Sequence, residues 1–252
     1  MRVAVCVKQI PDPAAPYDLD PDTHFVVRPA DQVLDDTDRY GVEMGLQLAE
    51  QTEGTVTLIS MGPSGNLQGI RQALAMGADK AVLVDDASLQ GSDSLATAMV
   101  LAAAIKREGF DLVIAGTEST DGYAGILPQQ LAELLDVPAL TFAKKVVVEG
   151  EMVKIERQTQ SGYDAVEAPA PALVSVTAGV VEPRYPTFKG IMQAKSKPVE
   201  TVTAGDLGVA PTTLQKIVDL RPAPERAAGE VIEDDGDAHL KIVELLEQAK
   251  VI

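Results

Sequence analysis

The sequence predicts an α/β fold: a doubly wound, mostly parallel sheet with a β-hairpin addition and an extended C-terminal arm. Val- and Ile-rich apolar runs bounded by turn residues alternate with stretches of helical apolar spacing, the pattern of βα units. Near residue 140 the alternation gives way to two period-2 runs about Glu149-Gly150, which signal a hairpin instead of a crossover helix. After Lys197 the apolar content thins into a Pro/Ala-rich stretch that includes "RPAPERAAGE".

Each element follows in order. "VAVCVKQI" is the first strand, followed by the Pro/Asp-rich loop "PDPAAPYDLDPD". "DTDRYGVEMGLQLAEQ" is a helix with Tyr40, Met44 and Leu48 on one face and Asp36 or Asp38 at its start. "TVTLISMG" is a second strand, "NLQGIRQALAMG" a helix closed by Gly77, and "KAVLVDD" a third strand. "SLATAMVLAAAIKREG" and "DLVIAG" form the next helix and strand. From Asp121 a glycine-containing turn leads into a helix that ends before "DVPAL". The hairpin "TFAKKVVVEGEMVKIERQT", the strand "PALVSVTAG" and a last helix, "DAHLKIVELLEQAK", complete the chain, without an internal repeat.

Composition excludes several function classes. With 252 residues and 46% hydrophobic content the chain can bury a sizeable core. Its net charge of −17 repels nucleic acid and anionic lipid. No apolar run approaches the roughly 18 residues that cross a bilayer, and no signal-peptide cleavage pattern follows Met1, so a cytoplasmic protein without membrane insertion is expected. The single cysteine, Cys6, precludes an internal disulfide, and two histidines, His24 and His239, leave little for metal sites or triads. The acids of "DDTD" read as a solvated helix start, and "QGSDSLATA" as an N-capped one without the paired glycines of a pyrophosphatase loop. With no nucleophile–base constellation, a binding protein is favoured over a self-contained enzyme.

In open parallel sheets ligands sit outside the carboxyl ends of the strands. Cys6 to Pro11, "SMGPSGN" and "GTESTDGYAGILPQ" have that placement. In the last, Gly122 and Gly125 permit close backbone approach, and the amides from Gly122 to Leu127 are placed to cradle a phosphate. The same glycines would serve chain reversal alone, since neither GxGxxG nor a Walker lysine is present. A separate stretch, "VEPRYPTFKGIMQAKSK", interrupts the acidity of the chain with Arg184, Lys189, Lys195 and Lys197 around Tyr185 and Phe188. A basic, aromatic, proline-framed loop on an acidic body is suited to docking an acidic protein surface.

Three segments, "VCVKQIPD", "GPSGNLQGIRQALAMGADKA" and "EPRYPTFKGIMQAKSK", resemble the β subunit of electron-transfer flavoprotein in order and spacing. The likeness runs to about Val209. It implies a Rossmann-like, adenine-nucleotide-binding fold and a heterodimer whose α subunit holds the redox-active FAD. It implies that this subunit binds AMP in ordinary carriers, or a second FAD in electron-bifurcating members that oxidise NADH. Electrons would pass from acyl-CoA dehydrogenases or similar flavoenzymes to a quinone oxidoreductase. The resemblance puts the adenine cleft at Cys6, Asp35, Met61, Gly62 and the loop of Asp121, Gly122, Tyr123, Ala124, Gly125, Ile126 and Leu127. It makes residues 181–197 the recognition loop, with Arg184, Tyr185, Phe188, Lys189, Ile191 and Met192 facing the partner and Phe188 where members place an apolar anchor. The expected domains are residues 1–200, and a C-terminal extension, 201–252, that packs on the α subunit.

The chain departs from the family pattern at three places. Asp35-Asp36-Thr37 stands where members show Asn-Pro-Phe/Tyr, and Ile126-Leu127 where they show Gln with Thr or Val. "QTQSGYD" stands where Asp-Gly-Gly and an acid are common. Phosphate would then depend on backbone N–H groups. The alternatives are a bifurcating subunit with its own FAD, and a stand-alone adenine-nucleotide-binding module or hydrolase.

Overall fold

The computed structural model describes residues 1–221, 224, 229, 231–234 and 236–252. The chain divides into two compact units, Met1–Ile217 and Val218–Ile252. In the first, the strands are β1 (Arg2–Cys6), β2 (Gln9–Ile10), β3 (Val33–Leu34), β4 (Thr55–Met61), β5 (Lys80–Val84), β6 (Leu112–Gly116), β7 (Ala139–Glu149), β8 (Met152–Thr159), β9 (Gly162–Pro169), β10 (Ala172–Val176) and β11 (Val199–Val202). The helices are α1 (Asp36–Gln51), α2 (Gln68–Met76), α3 (Ser94–Glu108), α4 (Leu127–Leu135) and α5 (Phe188–Ala194). The second unit holds α6 (Ala238–Gln248), on which Leu240, Ile242, Val243, Leu245 and Leu246 are exposed.

Among the described residues a nine-stranded sheet runs in the order β11-β5-β4-β1-β6-β10-β7-β8-β9. Pairing is parallel from β11 to β7 and antiparallel from β7 to β9. The doubly wound, mostly parallel sheet is as the alternating pattern predicts, and it is consistent with the Rossmann-like fold that the resemblance implies. Strand residues alternate between two cores: Val3, Val5, Ile114 and Val174 face α1 and α2, whereas Ala4, Cys6, Val113 and Leu173 face α3 and α4. The chain moves outward from β1 through β4 to β5, then crosses back to β6 on the other side of β1. That reversal opens the sheet between the carboxyl ends of β1 and β6, the topological switch point.

Several details differ from the sequence reading. The first strand stops at Cys6, and Gln9–Ile10 turns away to pair with β3. The cap of α1 is Asp35, which accepts from the Thr37 N–H, not Asp36 or Asp38. The strand β9 was not expected from the sequence; its residues are mostly exposed, and its register against β8, from Gly162↔Thr159 to Pro169↔Met152, makes it a strand. Likewise α5 and β11 lacked a local signal, β11 being an edge strand held by β5.

Candidate functional site

The loops leaving β1 and β6 meet over the switch point. Lys8, two residues beyond β1, directs its ammonium to Asp121 Oδ1 at 2.7 Å and Ser119 Oγ at 3.3 Å. The Arg28 guanidinium binds the other oxygen of Asp121 at 2.5 Å, and the Asp121 side chain is wholly covered. Burial pushes the Asp121 carboxyl up, but Lys8 and Arg28 more than offset it and hold it below the usual range. Asp35, also buried, ties α1 to the same loop by accepting from the N–H and hydroxyl of both Thr37 and Thr120. Asp38 lies beneath them and accepts from the Lys8 N–H at 2.7 Å. Burial first, and the neighbouring Asp35 charge second, push its carboxyl well above its ordinary value.

This frame carries the turn before α4. Gly122 and Tyr123 both donate to the Ser119 carbonyl, and Tyr123 and Gly125 take left-handed φ values of 47° and 66°. Ile126 precedes α4 without a side-chain cap. Among the described residues, the N–H groups of Ala124, Gly125, Ile126, Leu127 and Gln129 meet no acceptor. They lie just before and in the first turn of α4, where the dipole favours an anion. Cys6 is buried below the crevice with its thiol pushed up to about 12 by burial and then by Asp38, so it stays protonated. Met61 and Gly62 are half-buried at the end of β4, and Gly62 has open space where a Cβ would stand.

The sequence-predicted crevice residues therefore fall at one edge of the sheet, in distinct roles. Asp35 and Asp121 spend their carboxylates on holding the loops, while the 124–127 amides remain free. Lys8, Ser119 and Thr120 fall in the segments singled out from the sequence and Thr37 in the stretch noted as a departure, but none was named as a site residue; Arg28 was missed altogether. The place of Lys8 just after a strand end was a usable signal; Arg28 is separated from Asp121 by 93 positions and had none.

The segment 181–197 forms a second structure. Arg184 donates to Glu43 and Glu50 of α1, at 2.6–3.2 Å, which raises its already high pKa. Lys197 donates to the carbonyls of Leu74, Gly77 and Ala78 at the end of α2, and Arg71 returns two bonds to Ala194 and Lys197. Two of the four cations noted in the sequence are thus fasteners. Lys189 and Lys195 are exposed and, among the described residues, without ion-pair partners. Tyr185 is 85% and Phe188 81% exposed, with Ile191 and Met192 half out beside them. A cavity of about 440 Å³, lined in part by Arg39, Tyr40, Met76 and Tyr185, adjoins this surface.

Residues 23–207 match the electron transfer flavoprotein domain family. The whole chain is 41% identical to an electron transfer flavoprotein subunit beta from Mycobacterium leprae, covering 99% of it. The chain belongs to the electron transfer flavoprotein β-subunit family. A second relative in that family, the subunit beta of Megasphaera elsdenii, is 34% identical with both chains covered in full. A subunit of the caffeyl-CoA reductase-Etf complex of Acetobacterium woodii, CarD, is 34% identical over 84% of this chain and 81% of its own. The electron transfer flavoprotein match includes both the crevice loop and the exposed 181–197 segment. Among the described residues no helix is long and apolar enough to cross a membrane.

Proposed function

We propose that the protein is the β subunit of a heterodimeric electron carrier whose crevice between β1 and β6 holds AMP as a structural ligand. The observation that carries this reading is the group of unpartnered amides at the start of α4, beside glycines that leave the backbone open to a phosphate. They fit a phosphate monoester. AMP held there would stabilise the fold by mass action, by about 2.7 kcal/mol at a hundredfold excess over Kd.

The α subunit supplies FAD, which carries the electrons when bound. In this chain, residues 181–197 dock acyl-CoA dehydrogenases or similar flavoenzymes: Phe188 offers apolar area to a pocket, and Lys189 with Lys195 steer an acidic surface. The electrons go on to a quinone oxidoreductase, in the cytoplasm. The likeness to the caffeyl-CoA reductase-Etf subunit favours a second reading, with FAD in this crevice and electrons taken from NADH. The test is to co-purify the chain with its α partner, denature the complex and quantify the released nucleotides. One FAD and one AMP per heterodimer is the expected result; two FAD without AMP establishes the second reading, and FAD in the α subunit alone rejects both.

A further inference from the structure

Between buried Pro11 and buried Gln32 the chain leaves the core and crosses the carboxyl edge of the sheet. It first folds on itself, with Val27 N–H donating to the Asp18 carbonyl and Asp20 N–H to that of Phe25. The stretch from Phe25 to Asp31 then touches loops after three consecutive parallel strands. The Phe25 ring lies over Gly91 after β5, so close that a Cβ there would come within 2.5 Å of it. Arg28 reaches Asp121 after β6. The Ala30 carbonyl accepts from Asn66 N–H after β4 at 3.1 Å, and the Asn66 amide donates to Asp31. None of residues 25–31 is buried. The stretch is thus held by polar contacts and one ring, not by core packing, and belongs to the segments that open at low cost.

We propose that this stretch is a strap that retains the nucleotide in the crevice, with Arg28 on Asp121 as its latch. The inference rests on the AMP reading above. Asp121 has two cations, so loss of Arg28 leaves the Lys8 pair at 2.7 Å and no uncompensated buried charge. The turn before α4 keeps its frame, while the strap loses its one ionic hold on that turn. Arg28 is therefore a positioning residue whose effect falls on the rate at which nucleotide leaves.

The experiment loads the heterodimer with radiolabelled AMP, chases with unlabelled AMP, and follows hydrogen exchange of residues 11–32 in parallel. Arg28→Ala should speed AMP release by about tenfold, as loss of a charge-assisted bond allows, and raise exchange in the strap. Arg28→Lys, which keeps a point charge, should recover most of the retention. If strap exchange rises while release stays at the wild-type rate, or if neither changes, the strap is overturned. A wild-type heterodimer that carries no AMP and takes none up overturns the AMP reading, and the strap with it.

Discussion

Asp38 brings a carboxyl into the core at the first turn of α1, under Asp35 and beside the Lys8 backbone. Its raised pKa means that the folded protein retains a proton that the unfolded chain gives up near the ordinary Asp value of about 3.9. As pH climbs from there towards the folded value, stability falls. Asp38→Asn cannot ionise, and its amide oxygen can still accept from the Lys8 N–H. Urea midpoints should therefore favour the variant increasingly as pH rises above the ordinary Asp value. A difference between the two proteins that stays constant with pH would mean that Asp38 ionises normally. Sequence showed an acid at a helix start; only the path of the chain shows that Asp36 faces water and Asp38 the core. For the same reason the free amides of 124–127 were legible from Gly122 and Gly125, whereas the cations Lys8 and Arg28 needed the loops in place.

At the scale of the element, α5 is a short helix set down on α2 by a close approach. A Cβ on Gly190 would stand 2.5 Å from the Ala75 carbonyl oxygen, so Gly190→Ala must lift α5. The expected loss is about 1–3 kcal/mol in urea unfolding, with weaker docking although Phe188 is still present. Phe188→Ala should do the reverse, leaving stability within about 0.5 kcal/mol and slowing flavin reduction by the donor flavoenzyme in stopped flow. Unchanged transfer kinetics would rule out the anchor. The outward aromatic was legible from its proline-framed, basic surroundings. The fasteners were not: Arg184 binds residues 134 and 141 positions away, and no local pattern encodes such partners.

For the whole molecule, the parallel sheet was readable because βα repetition sets strand order through short connections. The antiparallel end was half readable: Glu149-Gly150 announced the turn, but β9 exists through pairing with β8 and not through its own composition. The second unit offers α6 with an apolar set that is exposed in this chain, and the proposed occupant of that face is the α subunit. Removing residues 218–252 should weaken the heterodimer by about an order of magnitude or more, read from complex dissociation on gel filtration at falling concentration. An unaltered heterodimer would assign the arm another task. The lone cysteine has a practical consequence here. Cys6 is buried and its thiol pushed up to about 12, so it will not compete for thiol reagents at neutral pH. A cysteine placed at exposed Lys195 would then accept a fluorophore alone, and the unmodified background of this chain would let one dye report each docking event.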